Sequence, residues 1–213
     1  MPLRSKPVLI TGSSRGLGMY LAKKFDEEGH NVILTGRNKK DLKLVQSQLK
    51  NNSVIVVGDL KDDLDLQIIT SISIDNNVSI LVNNAGVVCP GLSIESLEIK
   101  TITEMIDVNL RSPIILTKLL YDKVDDIINI NSMVGLEPKK YRTIYGSTKS
   151  GLKGFSDSLR LESDKNIVDV YPTRIQTYPE RENCMDIDFV CDKIYESYSK
   201  KLNKDLILDG RLK

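Results

Sequence analysis

The sequence has no surplus of charge of either sign: 30 lysines and arginines stand against 29 aspartates and glutamates, a formal net charge of +1. That balance gives no reason to expect nucleic acid or an acidic membrane as a partner. It also lacks an apolar run long enough to span a bilayer. The first buried strand is expected to start at Pro7, which leaves no room ahead of it for a signal peptide. Cysteine is scarce: Cys89, Cys184 and Cys191 are odd in number, far apart and without metal-type spacing. They read as free thiols of a reducing compartment, since no Cys-x-x-Cys pair or nearby histidine supports redox chemistry. The cytoplasm is the expected location. The lone histidine, His30, sits in a Gly29-His30-Asn31 turn and needs no functional account. Linkers, repeats and low-complexity segments are missing too, so one domain over residues 1–213 is expected. A chain 40% hydrophobic and 28% charged has enough apolar residues for a sizeable core.

What is present alternates. Short β-branched runs occur at 8–11, 31–35, 53–57, 79–82, 127–130, 167–170 and 205–208. Several are apolar throughout, as strands covered on both faces are. Between them lie helical stretches at 16–28, 39–49, 61–73, 101–123, 144–163 and 186–201. Strand-helix repetition of this kind predicts an α/β fold with a parallel sheet and right-handed crossovers.

The first strand runs into Thr11-Gly12-Ser13-Ser14-Arg15-Gly16-Leu17-Gly18, which opens the first helix. Glycines there let the backbone turn tightly and approach a pyrophosphate, while the helix N-terminus offers free N–H groups and a positive dipole end. The spacing is G-x-x-x-G-x-G rather than the commoner G-x-G-x-x-G. After the second strand an acid would suit a free ribose 2′-hydroxyl. Arg37 stands there instead, and Arg15 in the loop reaches toward the same region. Two guanidiniums suit a dianionic 2′-phosphate, so NADP(H) is expected over NAD(H).

In Ile144-Tyr145-Gly146-Ser147-Thr148-Lys149, Tyr145 and Lys149 lie one helical turn apart on one face. A fixed ammonium beside a phenol favours the phenolate and draws its pKa from about 10 toward neutrality, where acid-base groups work best. Ser132 precedes Tyr145 by 13 positions.

Together with Asp59 and Leu60 after the third strand, Asn83-Asn84-Ala85-Gly86 after the fourth and Asn109 in a long helix, these residues resemble the short-chain dehydrogenase/reductase family from end to end. The resemblance implies a Rossmann-type doubly wound sheet in three layers, with a nicotinamide cofactor across the carboxyl ends of the strands. It implies that Tyr145 exchanges a proton with a carbonyl or alcohol oxygen, that Ser132 orients that oxygen, and that Lys149 holds the nicotinamide ribose and lowers the tyrosine pKa. Asn109 would interrupt its helix to hold a water in a proton relay. Gly12, Ser14, Arg15, Gly16, Leu17, Gly18, Arg37, Asp59, Leu60, Asn83, Ala85, Gly86, Pro172 and Thr177 would join Tyr145 and Lys149 in contacting the cofactor. No metal is implied.

Two departures stand out. Pro172-Thr173 replaces the family's usual Pro-Gly, and the substrate-covering segment, about 173–190, is short. The substrate is expected to be a small carbonyl or alcohol. Lys139, Lys140, Arg142, Arg174 and Arg181 near the mouth would suit a phosphate-bearing carrier, and Tyr141 is expected to face the pocket. Apolar positions at Leu116, Leu119, Leu120, Leu152, Phe155 and Leu159 exceed what one helix face needs, and the family's pattern implies a homodimer or homotetramer through those helices. The competing function is a catalytically idle dinucleotide sensor or interaction module; the intact Ser132, Tyr145, Lys149 and Asn109 favour the enzyme.

Overall fold

Seven runs rich in β-branched residues form one parallel sheet. In the computed structural model, which describes residues 6–89, 91–176 and 184–211, they are β1 (Val8–Ile10), β2 (Val32–Gly36), β3 (Ser53–Val57), β4 (Ile80–Asn83), β5 (Asp126–Ile130), β6 (Asn166–Pro172) and β7 (Asp205–Leu208). The helices between them are α1 (Gly16–Glu27), α2 (Lys39–Gln46), α3 (Asp63–Asp75), α4 (Ile99–Ile106), α5 (Ser112–Leu120), α6 (Thr143–Glu162) and α7 (Ile187–Ser199). The spatial order is β3-β2-β1-β4-β5-β6-β7.

Successive side chains on a strand point to opposite faces, and the core divides accordingly. Val8, Ile10, Val32, Leu34, Ile80 and Val82 pack with α1 and α7 through Leu21, Phe25, Val190 and Ile194. Leu9, Ile33, Leu81, Ile127 and Ile167 face the other way, onto Leu66 and Ile69 of α3, Leu116 and Leu120 of α5 and Leu159 of α6. This is the doubly wound, Rossmann-type arrangement. Leu116, Leu120, Leu152 and Leu159 are buried within the chain and Phe155 packs against the same core, whereas Leu119 is exposed, as is Leu161. No helix among the described residues is long and apolar enough to cross a membrane.

The chain runs outward from β1 in one direction to β2 and β3, then returns to place β4 on its other side. Where strand order reverses, the loops leaving two neighbouring strands diverge and open a crevice at their carboxyl ends. Below that crevice a polar row crosses the sheet. Asn83, Asn129 and Asp169 are cross-strand partners; Asn83 Nδ2 donates to Asn129 Oδ1 at 2.9 Å and Asn129 Nδ2 to Asp169 Oδ1 at 3.0 Å. Ser156 of α6 adds a bond to Asp169 at 2.7 Å. A buried network of this kind fixes strand register, because a slip would break its cross-strand bonds; one member atom, Asn83 Oδ1, has no partner.

The stretch expected as one helix over 101–123 is broken. Between α4 and α5, Asp107–Arg111 forms a wide π-type turn. The cause is Pro113, which has no N–H to give the carbonyl of Asn109 four residues back. The amide of Ser112 reaches Asp107 instead.

Candidate active site

A cleft of about 430 Å³ occupies the crevice. Gly12, Ser14, Arg15, Gly16, Leu17 and Gly18 form one wall, with Arg37, Asp59, Leu60, Ala85 and Gly86 opposite; the sequence had singled out all eleven. Thr11 fastens the two loops: its Oγ1 accepts the amides of Asn84 at 2.9 Å and Ala85 at 3.0 Å. Ser13 ties the glycine loop to β2, its amide donating to the Thr35 carbonyl at 3.0 Å while its hydroxyl accepts the Thr35 amide at 3.0 Å.

The glycines are needed where they are. Gly12 has φ +64°, and a Cβ there would come within 2.9 Å of Ala85 Cα. A Cβ on Gly18 would lie 2.4 Å from both the Gly12 carbonyl oxygen and Asn84 Nδ2. Behind them α1 begins without a side-chain cap and without an acid in its first turn, so its N–H groups and positive dipole end face the cleft. This cradle fits a pyrophosphate. Gly18→Ala is expected to weaken dinucleotide binding at least tenfold and to destabilise the fold by roughly 1–3 kcal/mol through overpacking; fluorescence titration and thermal melting read the two effects.

Asn83 braces the sheet, its amide buried on Asn129, and its neighbour Asn84 lines the cleft. Pro172 ends β6 in register with Leu208, buried in the sheet; like Tyr145 and Lys149, it is not among the residues lining the glycine-walled cleft. Thr177 and Arg181 fall outside the described residues. Val87, Val88 and Val108 line the cleft and were missed; they are apolar residues of a loop and a helix break, which carry no local signal.

Asn109, buried at the π-type turn, joins this cleft to the second half of the site. Its Oδ1 accepts the Val87 amide at 2.7 Å, and its Nδ2 donates to the Val87 carbonyl at 2.8 Å and to Thr148 Oγ1 at 3.3 Å. Its side chain thus holds the loop after β4 against α6, next to Lys149.

On α6, Tyr145 is half-buried, and Ser132, which comes from the loop after β5, lies beside its hydroxyl. Ser132 also caps the short turn Met133–Gly135 through the Val134 amide at 3.3 Å. Lys149 is buried, and its Nζ donates to the Ile130 carbonyl at 2.7 Å while lying 5.9 Å from the centre of the Tyr145 ring. Burial pushes the phenol of Tyr145 above its ordinary pKa, with Ser132 and the Arg142 guanidinium acting in the opposite direction. The expectation that Lys149 lowers that value is corrected: the ammonium points at Ile130, and burial draws its own pKa down to about 8, against the pull of Asp169. Ser132 and Tyr145 present two adjacent hydroxyls, one held neutral, which is an arrangement able to grip and protonate a carbonyl oxygen.

Around them, Arg142 is half-buried and donates to the Cys89 carbonyl at 2.6 Å. Tyr141 does line a small pocket beside Tyr145, together with Cys89, Leu92 and Met105. Lys139, Lys140 and Arg174 are exposed. Asp59 is not the cap of α3, a role taken by Asp62; its carboxylate accepts the Lys61 amide at 3.1 Å at the cleft edge. The Cys191 thiol is buried and pushed up to about 12, which removes it from thiolate chemistry.

A family model for the short chain dehydrogenases matches residues 6–183. The chain is 36% identical over 163 residues to a 3-oxoacyl-(acyl-carrier-protein) reductase of Rickettsia typhi, covering 74% of this chain and 66% of that protein. It is 35% identical over 184 residues to the (S)-benzoin-forming benzil reductase of Bacillus cereus, covering 80% of this chain and 73% of the relative. Among solved structures, a short-chain dehydrogenase from Sphingobium yanoikuyae in complex with NADPH superposes with a TM-score of 0.85 at 25% identity, covering 97% of this chain and 88% of that one.

Proposed function

The chain belongs to the short-chain dehydrogenase family of oxidoreductases, and from that premise we propose that it interconverts a carbonyl and an alcohol with NADP(H). The observation that carries the reading is the placement of Ser132 beside Tyr145, one helical turn from buried Lys149, with Asn109 joining them to the glycine-walled cleft. A bound nicotinamide would supply the hydride in reduction, or accept it in oxidation. Tyr145 gives its proton to the carbonyl oxygen during reduction and takes one back from an alcohol in the reverse direction. Ser132 donates to the same oxygen and fixes its orientation. Lys149 holds ribose hydroxyls. Asn109, by pinning Val87 to α6, keeps the cofactor wall and the proton-transferring residues in one frame.

Arg37 at the end of β2, in the place where an acid would suit a 2′-hydroxyl, supports NADP(H). The NADPH-bound Sphingobium structure is consistent with this choice. Arg37→Ala is expected to weaken NADPH binding about tenfold or more and to leave NADH within about twofold, the difference that one lost charge-assisted fork on a phosphate produces. Tighter binding of NADH than NADPH by the unaltered protein would refute the assignment. The substrate panel for NADPH oxidation should span 3-oxoacyl thioesters and aromatic diketones, the classes on which the named relatives act. Exposed Leu119 of α5 and Leu161 of α6 are the apolar surface that supports a homo-oligomer.

A further inference from the structure

The adenosine end of the cleft is closed by an acid from a helix outside the glycine loop and the strand ends. Glu104 of α4 reaches over so that one oxygen, Oε1, lies 3.3 Å from Lys61 Nζ and 3.7 Å from Arg37 Nη1. Lys61 in turn stands 3.5 Å from Asp59 Oδ2. A guanidinium from the loop after β2 and an ammonium from the loop after β3 therefore converge on a single carboxylate oxygen. Two of the four groups in this chain, Arg37 and Asp59, line the cleft itself.

We propose that Glu104 determines cofactor specificity: its Oε1 stands where Arg37 and Lys61 would meet an oxygen of a ribose 2′-phosphate, and it competes with that phosphate for both cations. The inference rests on the NADP(H) reading and adds to it a third charged position, Lys61, and an opposing one. Exposure supports displacement. The Arg37 side chain is 60% exposed and those of Lys61 and Glu104 are 33% and 32% exposed. Pairs so open to water contribute little to the fold, so Glu104 swings aside without unfolding its surroundings. While it remains near, its charge repels the incoming dianion. At a few ångströms and an effective dielectric between protein surface and water, one such repulsion is worth about a tenfold change in affinity.

Calorimetric titration with adenosine 2′,5′-bisphosphate and with ADP tests this without turnover, because neither carries a nicotinamide. Glu104→Gln is expected to tighten the bisphosphate about tenfold and leave ADP within about twofold; Lys61→Gln is expected to weaken the bisphosphate alone. Thermal melting of each variant shows that the fold is kept, and Glu104→Ala repeats the test should the glutamine side chain itself bind Arg37. Unchanged affinities in Glu104→Gln would overturn the proposal by reducing the acid to a surface brace. Weaker ADP binding would overturn it as well, since Glu104 would then be holding the 2′-hydroxyl. Failure of the parent reading looks different: Arg37→Ala would leave discrimination between the two ligands as it was.

Discussion

Replacing Tyr145 by phenylalanine is expected to lower carbonyl reduction about a thousandfold, the loss typical of removing a positioned proton donor. The phenyl ring keeps the shape of the helix face, so NADPH affinity should stay within about twofold, and the defect should fall on kcat. The size of the effect follows from what the hydroxyl does. Burial holds the phenol protonated above its ordinary pKa, so at neutral pH it is loaded to donate. Ser132→Ala, which leaves the donor in place and removes only its companion, should lose less. Alcohol oxidation needs the phenolate, so its rate should rise with pH over the range where reduction is flat. Steady-state kinetics with NADPH and any turned-over ketone measures all three, and equal turnover by the phenylalanine variant would remove Tyr145 from the chemistry.

Lys149→Met should abolish turnover to a similar degree and yet not weaken the fold at neutral pH. Lys149 is 4% exposed, and burial lowers its pKa from 10.5 to about 8. A base whose pKa is lower folded than unfolded binds fewer protons in the native state between those two values. Its charge therefore opposes folding fully below pH 8, by roughly 3 kcal/mol, and the opposition fades as pH climbs toward 10.5. Methionine removes that burden but leaves the Ile130 carbonyl without its donor, a loss of about 1–3 kcal/mol. The variant should accordingly melt at or above the wild-type temperature at pH 7, and its advantage should shrink by pH 10. A difference that does not move with pH would show that Lys149 is not a buried cation.

Much of this architecture was legible from local pattern. Val8–Ile10 and Ile80–Asn83 are buried along their whole length, and fully buried strands need apolar or β-branched runs, which is what the sequence displays at Val8-Leu9-Ile10 and Ile80-Leu81-Val82. The glycine loop was readable because Gly12 and Gly18 answer to backbone geometry that no other residue meets. Failures arose where a neighbour in space decides. The apolar period continues through 101–123 and gives no sign of the break, which only the resemblance placed at Asn109, within the π-type turn Asp107–Arg111. Asn83 and Asn84 are adjacent in sequence, but the end of β4 sends one into the sheet and leaves the other at the cleft. Spacing placed an ammonium beside the Tyr145 phenol; in the fold its hydrogen bond goes to the Ile130 carbonyl at the end of β5, with Nζ 5.9 Å from the ring centre. Glu104 belongs to the same class, since only the fold brings α4 to Arg37 and Lys61.

The central claim is that the glycine-walled cleft and the Ser132–Tyr145 pair are two halves of one site. A crystal structure of the protein soaked with NADP+ tests it most directly. The account requires the pyrophosphate at the N-terminus of α1, the 2′-phosphate at Arg37, and the nicotinamide ring beside the Tyr145 hydroxyl with Lys149 at its ribose. A dinucleotide bound with its nicotinamide directed away from Tyr145, or with its pyrophosphate off the α1 terminus, would contradict it.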